Sequence, residues 1–312
     1  MGLHSLYLTQ KGKPMYHKRD WRHYNRQLVN RGKINFWIDP QVLQKWRGTK
    51  DGRACHPFVY SDELIRTMCY IRFKFHLSLR ETEGFFLSLI GLMQRILKVP
   101  CYTQICRRMK RLQLPAELFA KKNVTDIILD TTGLKVHGAG EWRAEKYGGG
   151  KRWKKLHLAL DPESGKLVLA ELTDEYVHDT CFLGTVLKKS NGKKGKVLID
   201  GIADSRRCYE LARRSNKTLL TPPKRGAVLR NEVVLKGRND AIRVIRGLGN
   251  DRTARSIWAK LTGYNRRVIV ESMMSRWKRV HGAALKSRCE QRQKVEIGLK
   301  AEMINQMIGM AA

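Results

Sequence analysis

The rhythm of apolar positions changes near residue 124. From Ser61 to Leu114 they recur at helical spacing behind three start signals. Ser61, Asp62 and Glu63 open one segment, Ser78 with Glu81 forms a capping box for a second, and Pro100 precedes a third. After Val124, short apolar runs rich in branched side chains alternate with helical stretches. Strands are predicted over Ile127–Asp130, Leu156–Asp161, Leu167–Leu172, Lys196–Asp200 and Thr218–Leu220. Helices are predicted over Thr180–Lys189, Asp204–Arg214, Arg252–Leu261 and Tyr264–Val280.

Three strands in close succession, then helix, strand, helix, strand and helix, make the order of an RNase H-like α/β fold: a mixed five-stranded sheet flanked by helices. Residues 222–250, with Pro222, Pro223 and scattered glycines, read as an insertion before the last helix of that core. The predicted organisation is a basic, aromatic N-terminal arm over 1–60, a helix-turn-helix-like region over 61–123, the α/β domain over 124–282, and a helical tail over 283–312 to which no function is assigned.

Charge narrows the partners. The 312 residues carry a formal net charge of +34, from 62 Lys and Arg against 28 Asp and Glu. Up to residue 123 there are 24 basic and 8 acidic residues, a net of +16, which leaves +18 for the remainder. Positive charge spread over both halves attracts a long polyanion, which makes nucleic acid the leading partner. The third helix of the 61–123 region carries Arg107, Arg108, Lys110 and Arg111, as a groove-entering helix would, although generic three-helix packing reads almost equally well. No membrane association is expected, because the longest apolar stretch, Phe85 to Met93, contains Ser88 and Gly91 and is too short for a bilayer. Seven unpaired-looking cysteines and no secretory leader fit a reducing cytoplasm.

The candidate chemistry lies on three acids. Asp130 closes Ile127, Ile128 and Leu129, and Asp200 closes Val197, Leu198 and Ile199. Each apolar run reads as a buried strand opening into a loop at its C-terminal end, where ligands bind in open α/β sheets. Glu271 belongs to a set with Tyr264, Arg267 and Lys278, at offsets of 0, 3, 7 and 14. On a continuous helix those offsets share one face. An acid at a strand end is often a cap or turn residue, and a charged stripe is often a solvated helix face. Three acids in this order favour a site.

With these residues in view, the chain resembles a DDE transposase of the bacterial insertion-sequence five family. The resemblance rests on Asp130 through Val136 with Gly140, Glu141 and Trp142, on Asp200 and Gly201 with Asp204, Arg207 and Cys208, and on the Tyr264, Arg267, Glu271, Lys278 signature. Lys18, Arg19, Asp20, Trp21, Tyr24 and Asn25 match as well, as does the run from Leu79 to Phe85. One departure is Ile202 and Ala203, where relatives usually carry a small residue and then tyrosine. The resemblance implies that Asp130, Asp200 and Glu271 are catalytic and hold two Mg2+ ions, with Mn2+ as a substitute. Tyr264, Arg267 and Lys278 would hold DNA beside the scissile phosphate. The implied partners are double-stranded DNA, as terminal inverted repeats and target, and a second copy of the chain in the DNA complex. Water would free a 3′-hydroxyl that then attacks target DNA. A non-catalytic DNA-binding remnant and a general nuclease are the competing readings.

Overall fold

The computed structural model describes residues 20–48, 59–113, 124–136, 146, 153–190 and 194–309. Lys18, Arg19, Cys55, His137, Gly140, Glu141 and Trp142 lie outside the described residues. The first elements are α1 (Trp21–Asn30), α2 (Ile34–Trp37), α3 (Pro40–Gln44), α4 (Asp62–Lys74), α5 (Leu79–Leu92) and α6 (Tyr102–Met109). Their starts follow local chemistry. Asp20 accepts the Arg22 and His23 N–H groups, Ser61 accepts Leu64 N–H, and Ser78 and Glu81 make the predicted capping box reciprocally. The buried faces of α2 to α6 close a core around Leu64, Met68, Phe73, Phe86 and Ile105.

The α/β part runs β1 (Ile127–Val136), β2 (Trp153–Leu160), β3 (Leu167–Asp174), α7 (Asp179–Lys189), β4 (Gly195–Leu198), α8 (Arg206–Arg214), β5 (Lys217–Leu220), α9 (Lys236–Gly247), α10 (Arg252–Thr262), α11 (Val268–His281), β6 (Ala284–Leu285) and α12 (Glu290–Gly309). The strand order is β3-β2-β1-β4-β5, with β6 also pairing β1. β1 is antiparallel to β2, as β2 is to β3, whereas β4 and β6 run parallel to β1 and β5 parallel to β4. This is the mixed sheet of an RNase H-like core, with a two-residue sixth strand that no apolar run announces.

Alternation sorts the strands onto two faces. Ile127, Leu129, Val197 and Ile199 face α7 and α8 through Phe182, Leu183, Val186 and Cys208. Ile128, Leu158, Leu160 and Leu198 face α11 and α12 through Val270, Met273, Trp277, Ile297 and Ile304. Gly195 is required where β4 begins, because a Cβ there would stand 1.9 Å from the Thr125 carbonyl oxygen.

Two stretches carry more structure than the sequence announces. The 222–250 stretch holds α9, whose Ala241 and Ile245 pack with Ala254 and Trp258 of α10. Residues 283–312 contain the expected further helix, and it is packed into the body of the protein. α12 sends Val295, Leu299, Met303 and Met307 into the helical core and Ile297, Ala301 and Ile304 into the sheet core. A helix apolar on several faces reads as aimless when alone and is explained only by burial on several sides.

Candidate active site

Strand register brings the first two acids together. β4 is parallel to β1, and Ile128 pairs with Leu198. Asp130 and Asp200 each lie two residues beyond that pair, so they emerge side by side at the same end of neighbouring strands. Asp130 does not end its strand as predicted: β1 continues to Val136, with Asp130 opposite Leu158. The opening comes from β4, whose pairing with β1 covers only Ile127 and Ile128, before β6 pairs at Lys135 and Val136. Asp130 sits in the interval between these two neighbours.

Asp200 caps a 3-10 turn over Gly201–Ala203, its Oδ1 accepting Ile202 N–H at 3.2 Å. The loop is pinned from two sides. Thr221 Oγ1 donates to the Asp200 carbonyl at 2.6 Å, and Tyr264 Oη donates to the Ile199 carbonyl at 3.2 Å.

The third acid arrives on α11. Tyr264 and Arg267 lie in a 3-10 turn, Tyr264–Arg267, that runs directly into the α-helix at Val268, so the predicted helix is tightened at its start. Glu271 occupies the first turn and Lys278 the last, both exposed. Arg267 is the junction of the site. Its Nη1 donates to Asp130 Oδ2 at 3.0 Å and its Nη2 to Glu271 Oε1 at 2.6 Å. Thus Asp130 and Glu271, from separate elements, converge on one cation.

Burial and neighbouring charges perturb Asp130 and Tyr264. Burial raises the Asp130 carboxyl above its ordinary range and Asp200 adds to this, against the opposing pull of Thr131 N–H and Arg267. Burial, with Asp200, Asp130 and Glu271 adding and Arg267 opposing, pushes the Tyr264 phenol up to about 12, so it serves as a neutral donor. All three acids therefore act on one phenol. Tyr264 also packs against Trp258, with ring centroids 5.5 Å apart, and Trp258 is a buried core residue.

Support around the site includes residues whose roles were not legible in sequence. The Asp204 side chain is fully buried and accepts Arg238 Nε at 2.8 Å and Lys224 N–H at 2.9 Å, tying the 222–250 stretch to the Asp200 loop. His157, opposite Thr131 on β2, is fully buried between two hydroxyls, with Nδ1 2.7 Å from Thr131 Oγ1 and Nε2 2.7 Å from Thr173 Oγ1. Its ring stacks on Phe182 at 4.9 Å. Burial lowers its pKa to about 4. The unfolded chain therefore binds a proton from about pH 6.5 downward, while the folded imidazole stays neutral to about pH 4. Between those values the fold is expected to lose about 3 kcal/mol. Urea unfolding at pH 7 and pH 4.5 checks this, and His157→Gln should shrink the difference by about that amount, leaving the part due to buried His281, whose pKa is lowered to about 3 chiefly by burial.

The basic residues of α6 divide. Arg107, Lys110 and Arg111 are exposed. Arg108 is not on the outer face as expected: it donates to Asp62 Oδ1 at 2.6 Å and to the Tyr60 carbonyl at 2.8 Å, and its side chain is 10% exposed. Its charge belongs to the packing of α6 on α4, since a buried guanidinium needs such partners.

The comparisons with known families point the same way as this geometry. A family model described as a transposase DDE domain matches residues 124–306, more than half of the chain. The chain belongs to the DDE transposase family. A second model, also described as a transposase DDE domain, matches residues 29–139. No solved structure matches the chain. The match over 124–306 includes β6 and nearly all of α12, so the C-terminal helix is part of the transposase domain. Among the described residues, no helix is long and apolar enough to cross a membrane.

Transposases of this type work with divalent metal ions. Among the described residues, no three His, Cys, Asp or Glu side chains are grouped as ready ligands of one ion. The donor chemistry nevertheless fits a hard cation: Asp130, Asp200 and Glu271 offer only carboxylate oxygens, and a guanidinium already bridges two of them.

Proposed function

We propose that this transposase binds the terminal inverted repeats of its own element, cleaves the DNA there, and joins the freed 3′-hydroxyl ends to target DNA. What supports this reading is the placement of Asp130 and Asp200 at the same end of neighbouring strands, with Arg267 pairing Asp130 to Glu271. Asp130, Asp200 and Glu271 are the residues that would hold two Mg2+ ions, or Mn2+ in their place. When bound, such ions neutralise charge on the attacking and leaving oxygens of a phosphodiester and lower the pKa of water.

The chain's own part is positioning. Tyr264 anchors the Asp200 loop through the Ile199 carbonyl, which fixes one acid relative to α11. Arg267 holds Asp130 and Glu271 near each other, and its planar fork suits the non-bridging oxygens of a phosphate. Lys278, two turns along the same helix, supplies a point charge for the backbone beyond the cut. Double-stranded DNA is the substrate, and a homodimer on two paired ends follows from the need to join them together.

The test is magnesium-dependent nicking of DNA carrying the element's terminal repeat, with unrelated duplex as control. Site-specific nicking by the wild type supports the reading, and sequence-blind degradation of both duplexes would point to a general nuclease instead. A protein that binds the repeat and never nicks it under any divalent ion would be a DNA-binding remnant. A second expectation concerns Arg267. Removing the guanidinium frees two carboxylates for a cation, so Arg267→Ala should bind Mn2+ roughly tenfold more tightly without DNA, as ~1.4 kcal/mol of relieved pairing implies. Calorimetric titration measures this. Unchanged or weaker Mn2+ binding would mean that Arg267 does not compete for the site.

A further inference from the structure

Opposite the catalytic end of α11, its last turn forms one wall of a hollow of about 830 Å³. The other walls come from the segment over 282–288 that follows α11 and includes β6, the end of α4, the start of α5, and α6. Five cationic side chains line it: Arg72, Arg80, Arg107, Lys286 and Arg288. The one acid in the lining, Glu81, is engaged by the N–H of Ser78 in the capping box. The lining therefore carries more positive than negative charge.

Arg72 is the informative member. It is 6% exposed and lies over the Phe73 ring, 5.3 Å from its centroid, while among the described residues its Nε has no hydrogen-bond partner and its Nη1 reaches the Met109 sulfur at 3.9 Å. A buried guanidinium without an acid is costly and persists where an anion completes it. Nearby, burial and then Arg72 and Lys300 lower the Lys286 pKa, with Glu296 and Glu81 opposing. Arg80 lies over the Tyr102 ring, 4.6 Å from its centroid, which holds a guanidinium at the mouth.

We infer that this hollow is a phosphodiester-binding cleft that grips the DNA strand leading away from the cut. The inference rests on the transposase reading above and adds a second place of contact to it. Three features select a nucleic-acid backbone over a small anion. The volume far exceeds one phosphate. Arg107 also lines a neighbouring hollow of about 770 Å³ with Lys110 and Arg292, so the positive surface continues over α6. The third is distance along α11: from Glu271 to His281, which lines the hollow, is ten residues or about 15 Å. That is roughly four to five nucleotide steps at ~3.4 Å each.

The experiment compares terminal-repeat duplex binding, by fluorescence anisotropy across a salt series, for the full-length wild type and two triple variants. One is Arg80→Gln, Lys286→Gln, Arg288→Gln in the cleft. The other removes the same charge from exposed cations on α7 and α8, as Lys188→Gln, Arg213→Gln, Arg214→Gln. The cleft variant should bind at least roughly tenfold more weakly at physiological salt, with its log–log salt slope reduced by about 2 to 3. The control should change far less, and both should unfold at the wild-type temperature. Equal loss in the two triples, or no loss in the cleft triple while wild type binds and nicks, overturns the cleft and leaves the transposase reading standing. Failure of the wild type to bind any duplex overturns both.

Discussion

Asp130→Asn and Glu271→Gln should each reduce magnesium-dependent nicking of terminal-repeat DNA by at least roughly 10³-fold, a barrier increase of about 4 kcal/mol. Neither change should unfold the protein. Glu271 is exposed, and its pair with Arg267 is an i,i+4 contact of the kind worth a few tenths of a kcal/mol at a surface. Asp130 is more telling. Its carboxyl pKa is raised chiefly by burial, which means the fold disfavours its charge at neutral pH. Replacing it by the isosteric amide should leave stability unchanged or slightly higher while activity vanishes. A residue that the fold does not favour and chemistry requires is the expected mark of a functional group. Parallel nicking assays and thermal unfolding of both variants decide the matter. Retained nicking by either one, with Mn2+ as well as Mg2+, would remove the assignment of that acid.

The largest effect on stability is expected from Glu296→Ala. The Glu296 and Lys300 side chains are 0% and 2% exposed and pair at 2.6 Å one turn apart on α12. Glu296 also accepts the Lys286 and Ser287 N–H groups at 2.9 and 2.8 Å. Burial alone would raise this carboxyl, yet Lys300 and the two N–H donors bring it below its ordinary range. Because α12 belongs to both the helical and the sheet cores, the pair sits where those cores meet. Removing the acid leaves the Lys300 ammonium buried over the Phe73 ring, 5.4 Å from its centroid, and releases the 286–287 turn. Breaking one partner of a buried pair costs about 3–5 kcal/mol, a large share of typical domain stability. The double variant Glu296→Leu, Lys300→Leu removes both charges and should recover much of the loss. Urea unfolding of the three proteins gives the comparison. A single-variant loss near zero would mean that solvent reaches the pair.

That turn also carries Lys286, so the two regions are linked physically. Lowering pH acts on the same pair with a defined sign. A depressed carboxyl pKa contributes stability above the unfolded value near pH 4.5, and that contribution fades as pH falls through the folded value. It adds to the acid sensitivity expected from His157.

Much of this protein was written locally. The apolar runs ending near Asp130 and Asp200 announced two neighbouring strands, because burial on both faces demands continuous branched side chains. Ser61, Ser78 and Glu81 marked helix starts that the structure keeps, since capping satisfies backbone donors within four residues. The acids themselves stood out by position and spacing. What went astray was also local in origin. Tyr264 through Lys278 carry one helical stripe on paper, but the turn at Tyr264–Arg267 is tighter, so the first two members reach the Asp200 loop and Asp130. Arg108 looked like its exposed neighbours because sequence gives no sign of which face of α6 meets α4.

The sequence by itself determined most strands and helices of the α/β part, the alternating strand faces and the positive charge, and it singled out the three acids, since each depends on residues within a turn or a strand. Tertiary structure alone decided that Arg267 would bridge Asp130 across 137 residues, that β6 would extend the sheet, and that α12 would serve two cores. Periods of two and 3.6 fix which way a side chain leaves its own element. Strand register and helix docking, set by burial summed over the whole chain, fix what it meets there.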